Sequence, residues 1–547
     1  IVQVLLRKSL PQVRIVQDDW NIKVSNANGT VKSIREWGKA AFKDDRKQIR
    51  AFESIILAFL LTFYDEKPDE TEPDNTAGSL PKGHRAKFRV TKRVLMTLKG
   101  SEKEMQLVCL LHGPGGSGKS AVINLVQAYA RSYCENIGHP YTSRTIVISA
   151  MSGVAATLLH GETTHSLLGL NRSSITKEEQ EMWADTRLLI IDEVSFASKK
   201  DFEKIYEHVC LLMRETFKNY GGLNIVFAGD YSQLEPVKQE PIYQTYVPEF
   251  HGRLNCFIEL DGMHRFNDDL EWGHRLKRFR EGEPTPDDID VINENCVVQG
   301  QSLPQGIQIA SYRNRERDSI NCQIFEEFCV QNKPADGSVL NAAVVVFMDN
   351  LQVKCGKKTF ITVDSNKVIS HFYQHVGEDD IDKGSGSREG RVDPVLKLYS
   401  NCDMMLTTNS DVGGGEANGT RVRAQKVIAK IGEEPFHLKL SCGTIVWALY
   451  ASQVRSILVK HVVDDIVPQV FDVKVTEHNF NCKLELAEGS TTVRMKSQQF
   501  PLVSNSCTTG HKLQGSTVEK ILVNDWFYGN NWAMWFCVEC EQWLGYL

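Results

Sequence analysis

A glycine-rich motif in the first quarter of the chain restricts the fold more than any other feature. It reads GPGGSGKS at residues 113–120, follows an apolar run from Leu107 to Leu111, and precedes a helical stretch from Ala121 to Ala130. Glycines in such a loop let backbone N–H groups surround a phosphate, and the positive end of the helix dipole points at the same place. The order strand, loop and helix predicts a nucleotide-binding α/β fold. The alternative is a chance glycine-rich turn.

The motif supplies candidate phosphate and metal contacts. Lys119 is expected to reach the outer phosphates, and the hydroxyl of Ser120 is expected to ligate Mg²⁺. The remaining candidates surround the phosphates mainly through their backbone: Gly113, Gly115, Gly116, Ser117 and Gly118.

Two further apolar runs end in polar residues that suit a nucleotide site. The run Leu188 to Ile191 is followed by Asp192 and Glu193. This pattern predicts a buried strand that delivers one carboxylate to Mg²⁺ and the other to a water near the terminal phosphate. The run Asn224 to Ala228 precedes Gln233, whose amide can sense the terminal phosphate. The alternatives are a strand with an ordinary polar turn and, for Gln233, a simple Gly-Asp turn.

Short apolar runs alternate with helical stretches along much of the chain, which predicts a parallel sheet with helices on both faces. Residues 398–500 instead show strand-like alternation, which predicts a small β module. The other predicted elements are strands at Thr145 to Ser149, Gly306 to Ser311, Lys520 to Val523, Phe471 to Val475, Lys483 to Leu486 and Val493 to Lys496, a buried helix at Ile49 to Tyr64, and loops at Asp65 to Lys82 and Gly377 to Arg391.

Composition sets outer limits on the class of protein. Hydrophobic residues are 41% and charged residues 24% of the 547 residues, which argues against a largely disordered chain. No apolar run approaches the length of a membrane span, which argues against a membrane-embedded protein. The formal charge of −6 means that the chain as a whole has no excess of basic residues to attract a nucleic acid. A nucleic-acid site remains compatible with this charge, because salt screens the attraction to phosphates and only the basic residues close to the site matter. The 14 scattered cysteines favour a reducing intracellular compartment. Residues 1–16 lack the layout of a secretory peptide.

Taken together, the motifs resemble the Pif-type, RecD-like DNA helicases of helicase superfamily 1. The resemblance extends from about residue 40 to about residue 525 in the order of the family, with Glu235 in place of a proline. The matching segments are DDRKQIRAF at 44–52, ISAMSGVAA at 148–156, GETTHS at 161–166, DEVS at 192–195, GDYSQLEPV at 229–237, NGT at 418–420 and TGHKLQGST at 509–517.

The resemblance implies an α/β fold with two RecA-like P-loop lobes, parallel sheets and an inserted small SH3-like β-barrel module. The implied boundaries are an N-terminal segment at 1–105 with a Q-type motif and an acidic and basic insertion, a first lobe at 106–253, a second lobe at 254–397 and 501–547, and the β module at 398–500. ATP would lie between the lobes.

The resemblance also implies residue roles. ATP and Mg²⁺ are the implied cofactors; Lys119, Ser120, Asp192, Glu193 and Gln233 would bind and cleave ATP. Gln48 would read adenine, and Gly515 and Arg265 would approach the nucleotide from the second lobe; an ordinary surface arginine is the alternative for Arg265. The implied contacts to single-stranded DNA are Thr164, His165, His511 and Lys512; a structural histidine is the alternative for His165.

The implied function is an ATP-dependent 5′-to-3′ DNA helicase. It would act as a monomer on single-stranded DNA and duplex junctions, without a membrane partner, in DNA repair, recombination or telomere maintenance. In a eukaryote the expected compartment is the nucleus or the mitochondrion.

One departure from the family concerns its last motif, which ends in a phosphate-contacting arginine. No arginine follows Arg494, and Glu539 and Glu541 lie in the corresponding segment, where acids repel a triphosphate. A truncated or incorrect end is one explanation. The alternatives are a DNA-binding helicase relic that binds ATP without hydrolysing it, and an unrelated P-loop enzyme such as a small-molecule kinase, although a kinase has no need for the segment at 509–517.

Overall fold

The computed structural model shows two compact units, Ile1–Thr285 and Pro286–Leu547. It describes residues 23–25, 31–63, 106–159, 161–233, 236, 239–267, 269–294, 296–297, 307–312, 314–355, 359–362, 393–408, 416, 418–462, 470–486, 489–513, 518–524 and 540–546. The predicted loops at 65–82 and 377–391 lie outside these residues. Within the described part of the chain, no helix is both long and apolar enough to cross a bilayer.

The first unit is built on a parallel six-stranded sheet. Its strands are β3 (Val108–His112), β4 (Ile146–Ala150), β5 (Glu162–Thr163), β6 (Leu188–Asp192), β7 (Asn224–Gly229) and β8 (Cys256–Glu259). Their order across the sheet is β5-β4-β6-β7-β3-β8. A separate antiparallel pair, β1 (Lys23–Ser25) and β2 (Val31–Ser33), precedes it in the chain.

Helices cover both faces of this sheet. They are α1 (Ile34–Phe42), α2 (Arg46–Leu61), α3 (Lys119–Ile137), α4 (Gly153–Leu158), α5 (Thr164–Leu167), α6 (Lys177–Trp183), α7 (Lys199–Leu212), α8 (Pro248–His251) and α9 (Leu270–Glu281). Alternate strand residues point to opposite faces, so Cys109 and Leu111 pack with α2 and α3 while Val108 and Leu110 join the core under α7. Both faces are buried, which explains the near-continuous apolar strands.

The second unit contains a five-stranded parallel sheet in the order β24-β10-β25-β26-β9. Its elements are α10 (Pro286–Glu294), β9 (Cys296–Val297), β10 (Gln308–Ser311), α11 (Asn314–Gln331), β24 (Cys507–Thr509), α12 (Gly510–Leu513), β25 (Val518–Val523) and β26 (Cys540–Tyr546). Ile320 and Ile324 of α11 pack against buried Ile309, Cys507 and Leu522 of this sheet.

A set of mostly antiparallel strands interrupts the second parallel sheet between β10 and β24. They form three sheets, in the orders β14-β11-β18-β17, β13-β12-β22-β21 and β20-β19-β16-β15-β23. The strands are β11 (Leu340–Phe347), β12 (Asp349–Cys355), β13 (Thr359–Thr362), β14 (Val395–Tyr399), β15 (Asp403–Leu406), β16 (Arg421–Ala429), β17 (Phe436–Lys439), β18 (Ile445–Tyr450), β19 (Val454–His461), β20 (Val470–Val473), β21 (Thr476–Leu486), β22 (Gly489–Gln499) and β23 (Leu502–Ser504).

Two observed boundaries differ from the sequence prediction. The first unit continues past residue 253, because β8 pairs with β3 and completes the first sheet, and the compact unit ends at Thr285. The β-rich region begins at Leu340 rather than at residue 398. Strand β11 reads LNAAVVVF and is nearly continuously apolar, so the alternation that marks a half-exposed strand is missing there.

Candidate nucleotide site

The carboxyl ends of β3, β6 and β7 meet at one edge of the first sheet. Because the three strands are parallel, the residues that follow them lie side by side: the phosphate loop after β3, Asp192 and Glu193 at the end of β6, and Asp230 to Gln233 after β7. The Gly113 N–H donates to the Gly229 carbonyl at 3.2 Å, which joins two of these segments directly. The predicted acids and Gln233 therefore share one edge with the phosphate loop.

The phosphate loop has the backbone that an anion cradle requires. Gly116 and Gly118 have φ of +78° and +89°, values that L side chains rarely adopt. A Cβ on Gly113 would lie 2.5 Å from the Leu260 carbonyl oxygen and 2.6 Å from Ser117 Oγ. Helix α3 starts at Lys119 with no side-chain cap, so its first N–H groups are available to an anion.

Three polar groups within the loop fit a bound triphosphate and its metal. The Lys119 ammonium donates to the carbonyls of Gly113 at 2.7 Å and Pro114 at 3.1 Å. Ser117 Oγ is buried without a hydrogen-bond partner among the described residues, an orphan that a phosphate oxygen would satisfy. Ser120 is exposed at the start of α3, where its hydroxyl can ligate Mg²⁺.

The two acids at the end of β6 are buried beside this loop. Burial raises the pKa of Asp192 above its ordinary value, while the charge of Lys119 acts in the opposite direction. The Glu193 N–H donates to Asp192 Oδ1 at 2.9 Å, and Glu193 has the left-handed backbone φ of 53° and ψ of 42°. A strained backbone at a non-glycine residue is typical of functional sites, because surrounding contacts must maintain it.

Asp230 organises the segment that carries Gln233. Its carboxylate forms two hydrogen bonds of 2.6 Å with Arg280 of α9, and its Oδ1 accepts from the Ser232 N–H at 3.0 Å. Its backbone carbonyl accepts from the Gln233 N–H at 3.1 Å. Although burial opposes ionisation, the Arg280 guanidinium holds the pKa of Asp230 below its ordinary value. Gln233 is itself buried.

His112 at the end of β3 contacts the same segment. The Tyr231 N–H donates to His112 Nε2 at 3.3 Å, and the two rings stack with centroids 5.7 Å apart. Glu259 Oε1 lies 3.8 Å from His112 Nδ1. The strand that leads into the phosphate loop is therefore connected by a side chain to the turn before Gln233.

Arg265 lies in the first unit rather than in the second lobe, where the sequence prediction placed it. It belongs to a 3₁₀ turn, His264–Phe266, and the His264 N–H donates to the Gly116 carbonyl at 3.0 Å. A Cβ on Gly116 would approach the Arg265 Cβ to 2.5 Å. The prediction was wrong because the lobe boundary was set before β8, although β8 and this turn complete the first unit. The turn attaches Arg265 directly to the phosphate loop.

Alanine at Gly116 is expected to destabilise the first unit by more than the cost of its backbone conformation alone. An alanine at φ +78° costs about 1–2 kcal/mol, and its Cβ would also meet Arg265 at 2.5 Å. Gly282→Ala is the matched control, because Gly282 has φ +77° with nothing within 4 Å of its Cβ position. Urea unfolding of both variants measures the difference. Equal destabilisation would contradict the contact with Arg265.

The predicted adenine contact, Gln48, is buried in the first turn of α2. Its Nε2 donates to the Gly118 carbonyl at 3.4 Å, so the side chain lies against the end of the phosphate loop. Asp45 caps this helix, with Oδ1 accepting from the N–H groups of Lys47 and Gln48, both at 3.0 Å. The structure brings Gln48 together with the phosphate loop.

The predicted DNA contacts in the first unit have different surroundings. Thr164 is fully buried and donates its hydroxyl to Ser149 Oγ at 3.0 Å, so its side chain faces the interior of the unit. His165 is partly exposed, with Nε2 3.5 Å from Asp201 Oδ1. Although burial opposes it, contacts with His165 and Ser198 hold the pKa of Asp201 at about 2.

The remaining candidates predicted in the second unit are His511, Lys512 and Gly515. His511 and Lys512 lie on α12, directly after β24, and nothing is described of their side chains. Gly515 lies outside the described residues. Within the described part of the chain, no group of three or more His, Cys, Asp and Glu side chains could hold a metal ion. Mg²⁺ needs fewer protein ligands, because it retains several waters and binds substrate phosphates.

A parallel sheet whose strands end in a glycine-rich loop, a buried acid pair and a polar glutamine gives the first unit the fold of a P-loop nucleotide-binding lobe. Residues 91–250 match the family model described as PIF1-like helicase. This segment is similar to Pif1-type helicases.

Curated relatives share modest identity with the chain. It is 23% identical over 329 residues to "ATP-dependent DNA helicase PIF7" of Trypanosoma brucei brucei, covering 57% of this chain and 31% of that protein. It is 27% identical over 324 residues to "ATP-dependent DNA helicase PIF1" of Xenopus laevis, covering 56% and 43%. The chain therefore spans less than half the length of these relatives.

Solved structures show the same fold over most of the chain. The crystal structure of Pif1 helicase from Candida albicans matches with a TM-score of 0.53 and 20% identity, covering 80% of this chain and 91% of that one. Bacteroides Pif1 bound to single-stranded DNA matches with a TM-score of 0.52 and 18% identity, covering 83% and 91%. Together with the two parallel sheets, these matches show two RecA-like lobes.

Proposed function

We propose that this chain is an ATP-dependent DNA helicase that couples ATP hydrolysis to movement along single-stranded DNA and to duplex separation. The observation that carries the proposal is the common sheet edge at which the phosphate loop, Asp192, Glu193 and Gln233 converge. The relatives named above as ATP-dependent DNA helicases support the same activity. Roles in DNA repair, recombination or telomere maintenance are part of the proposal.

The residues at this edge divide the hydrolysis of ATP among them. Lys119 would neutralise the outer phosphates, and Ser120 with Asp192 would hold Mg²⁺, which supplies charge compensation at the phosphate oxygens. Glu193 would orient the attacking water and accept its proton. Gln233 and Arg265 would contact the terminal phosphate, where a guanidinium lowers the barrier as negative charge redistributes. A bound ADP–AlF3 in a Bacteroides Pif1 of similar fold supports a nucleotide site of this kind.

Single-stranded DNA and duplex junctions are the proposed nucleic-acid substrates. A Bacteroides Pif1 of similar fold binds single-stranded DNA. His165, His511 and Lys512 are the proposed contacts, through sugar and phosphate groups that carry no sequence information. The proposal keeps a monomer as the acting unit. Light scattering of the chain on a forked duplex tests this point, since another similar structure concerns DNA unwinding at forked duplexes by two coordinating Pif1 helicases.

We assign the interrupting strands of the second unit to an SH3-like β-barrel module. Their insertion between β10 and β24 of the parallel sheet and the Asn418-Gly-Thr420 segment before β16 support this assignment. With these boundaries, the proposed first RecA-like lobe consists of residues 106–285. The proposed second lobe consists of residues 286–339 and 505–547.

Phosphate release by the purified chain, with and without single-stranded DNA, tests the proposed activity, together with strand separation of a forked duplex. We expect DNA-stimulated hydrolysis and ATP-dependent unwinding. DNA binding without hydrolysis would instead support the helicase relic. Failure to bind single-stranded DNA at low salt, with ATP turnover retained, would support an unrelated P-loop enzyme.

A further inference from the structure

The turn that carries Arg265 contacts the phosphate loop at two glycines. The His264 N–H donates to the Gly116 carbonyl at 3.0 Å. A Cβ on Gly118 would lie 3.2 Å from His264 Cδ2, so the imidazole packs beside the last glycine of the loop. We call residues 261–266 the arginine turn.

The His264 imidazole also reaches the helix that carries Gln48. Its Nε2 lies 3.0 Å from Asp45 Oδ2, while the other oxygen of the same carboxylate caps α2. Gly262 leaves the space for this contact, because a Cβ there would lie 2.5 Å from His264 Nε2 and 3.3 Å from Asp45 Oδ2. The carboxylate of Asp45 thus joins the helix cap to the arginine turn.

A second ion pair connects the same two segments. Lys47 Nζ lies 2.6 Å from Asp261 Oδ2, with side chains 47% and 59% exposed, whereas those of His264 and Asp45 are 41% and 21% exposed. Exposed pairs contribute little because water screens them and holding long side chains costs entropy. Of these two contacts, the one between His264 and Asp45 is the less exposed.

We propose that His264 is a positioning residue that holds Arg265 and Gln48 in fixed positions relative to the phosphate loop. Its backbone fixes the turn on Gly116, and its ring fixes the turn to the cap of the helix that presents Gln48. Neither Asp45 nor His264 has to touch the nucleotide for this role. The proposal rests on the proposed function, because Arg265 is taken to act on the terminal phosphate.

Two substitutions break this connection while preserving its surroundings. Asp45→Asn keeps a residue that caps helices well, but it can present an amide N–H₂ to His264 in place of an accepting oxygen. His264→Leu removes the ring nitrogen, and His264→Gln keeps a donor that can reach Asp45. Lys218→Ala is the control, because Lys218 and Glu215 form an exposed ion pair elsewhere in the first unit.

Steady-state ATP hydrolysis with saturating single-stranded DNA separates positioning from general destabilisation. We expect His264→Leu to lower kcat roughly 10- to 100-fold through Arg265, which acts only in the transition state, and to raise KM for ATP through the displaced Gln48. Asp45→Asn should give a similar loss, and their combination no further loss. His264→Gln should recover most of kcat, and Lys218→Ala should match the wild type.

Epistasis with Arg265→Ala is the decisive measurement. If His264 acts through Arg265, adding His264→Leu to Arg265→Ala should leave kcat unchanged. A further loss in that background, or an equal loss with His264→Gln, would overturn the proposal. Thermal unfolding of each variant shows whether the fold is retained.

The positioning role of His264 can still be tested separately from the proposed helicase activity if the wild type hydrolyses no ATP. That result would reject the proposed helicase activity alone. The cycle between Asp45→Asn and His264→Leu is then measured as the affinity for a fluorescent ATP analogue. Non-additive losses support a shared connection to the nucleotide site, and additive losses or no losses overturn it.

Discussion

Replacing Lys119 with alanine is expected to reduce DNA-stimulated ATP hydrolysis by on the order of 10²- to 10³-fold, the range seen when one preorganised donor to a developing negative charge is removed. The Lys119 ammonium contacts the phosphate loop, where it donates to the Gly113 and Pro114 carbonyls. Phosphates entering the loop would offer it stronger, charged acceptors. Phosphate release under saturating DNA measures the effect.

Binding measurements distinguish the loss of this cation from loss of the fold. Lys119→Ala should retain affinity for single-stranded DNA, measured by fluorescence anisotropy, because the predicted DNA contacts lie elsewhere. Lys119→Arg is the charge-matched control, and it should recover little activity because a planar guanidinium does not reproduce a compact ammonium. Glu193→Gln should abolish hydrolysis while retaining ATP affinity. Unchanged turnover in Lys119→Ala would contradict the proposed site.

Motifs confined to one strand and its following turn could be predicted from the sequence. The phosphate loop, the acid pair after β6 and the glutamine after β7 each combine an apolar run with a polar end, and parallel pairing then brings the ends together. Strands β3, β6 and β7 differ from their predicted bounds by at most one residue at each end. A local pattern of this kind predicts both the strand and the polar residues that follow it.

Contacts between residues distant in the chain could not be predicted in this way. Asp45 and His264 are 219 positions apart, and Asp230 and Arg280 are 50 apart. Asp45 had a local signal as a polar residue before a helix, but this signal indicates only a cap. Arg280 reads as one of several basic residues on an amphipathic helix. The position of Arg265 depended on pairing of β8 with β3, which no local pattern shows.

Alanine at Arg280 is expected to destabilise the first unit by about 3–5 kcal/mol, the cost of leaving a buried charge without its partner. Asp230 is 1% exposed and Arg280 17% exposed in their side chains, so water compensates little. Lys277→Ala on the same helix is the matched control. Its ion pair with Glu281 is half exposed on both sides, and the substitution should cost less than about 1 kcal/mol. Urea unfolding measures both.

The pH dependence of this loss has a definite sign. In the wild type the pKa of Asp230 is depressed, so its contribution to stability is present above the unfolded pKa of about 3.9 and is lost as pH falls through the folded pKa. Without Arg280, burial favours the neutral acid, and protonation then stabilises the folded variant. The stability difference between wild type and Arg280→Ala should therefore narrow as pH falls from 7 toward 4.

The same substitution should also reduce hydrolysis, because Asp230 orients the Gln233 segment through its carboxylate and its backbone carbonyl. Arg280→Lys keeps the charge but loses one of the two parallel hydrogen bonds, so it should recover stability only in part. A pH-independent loss, or a loss no larger than that of Lys277→Ala, would show that the pair between Arg280 and Asp230 does not hold this segment in place.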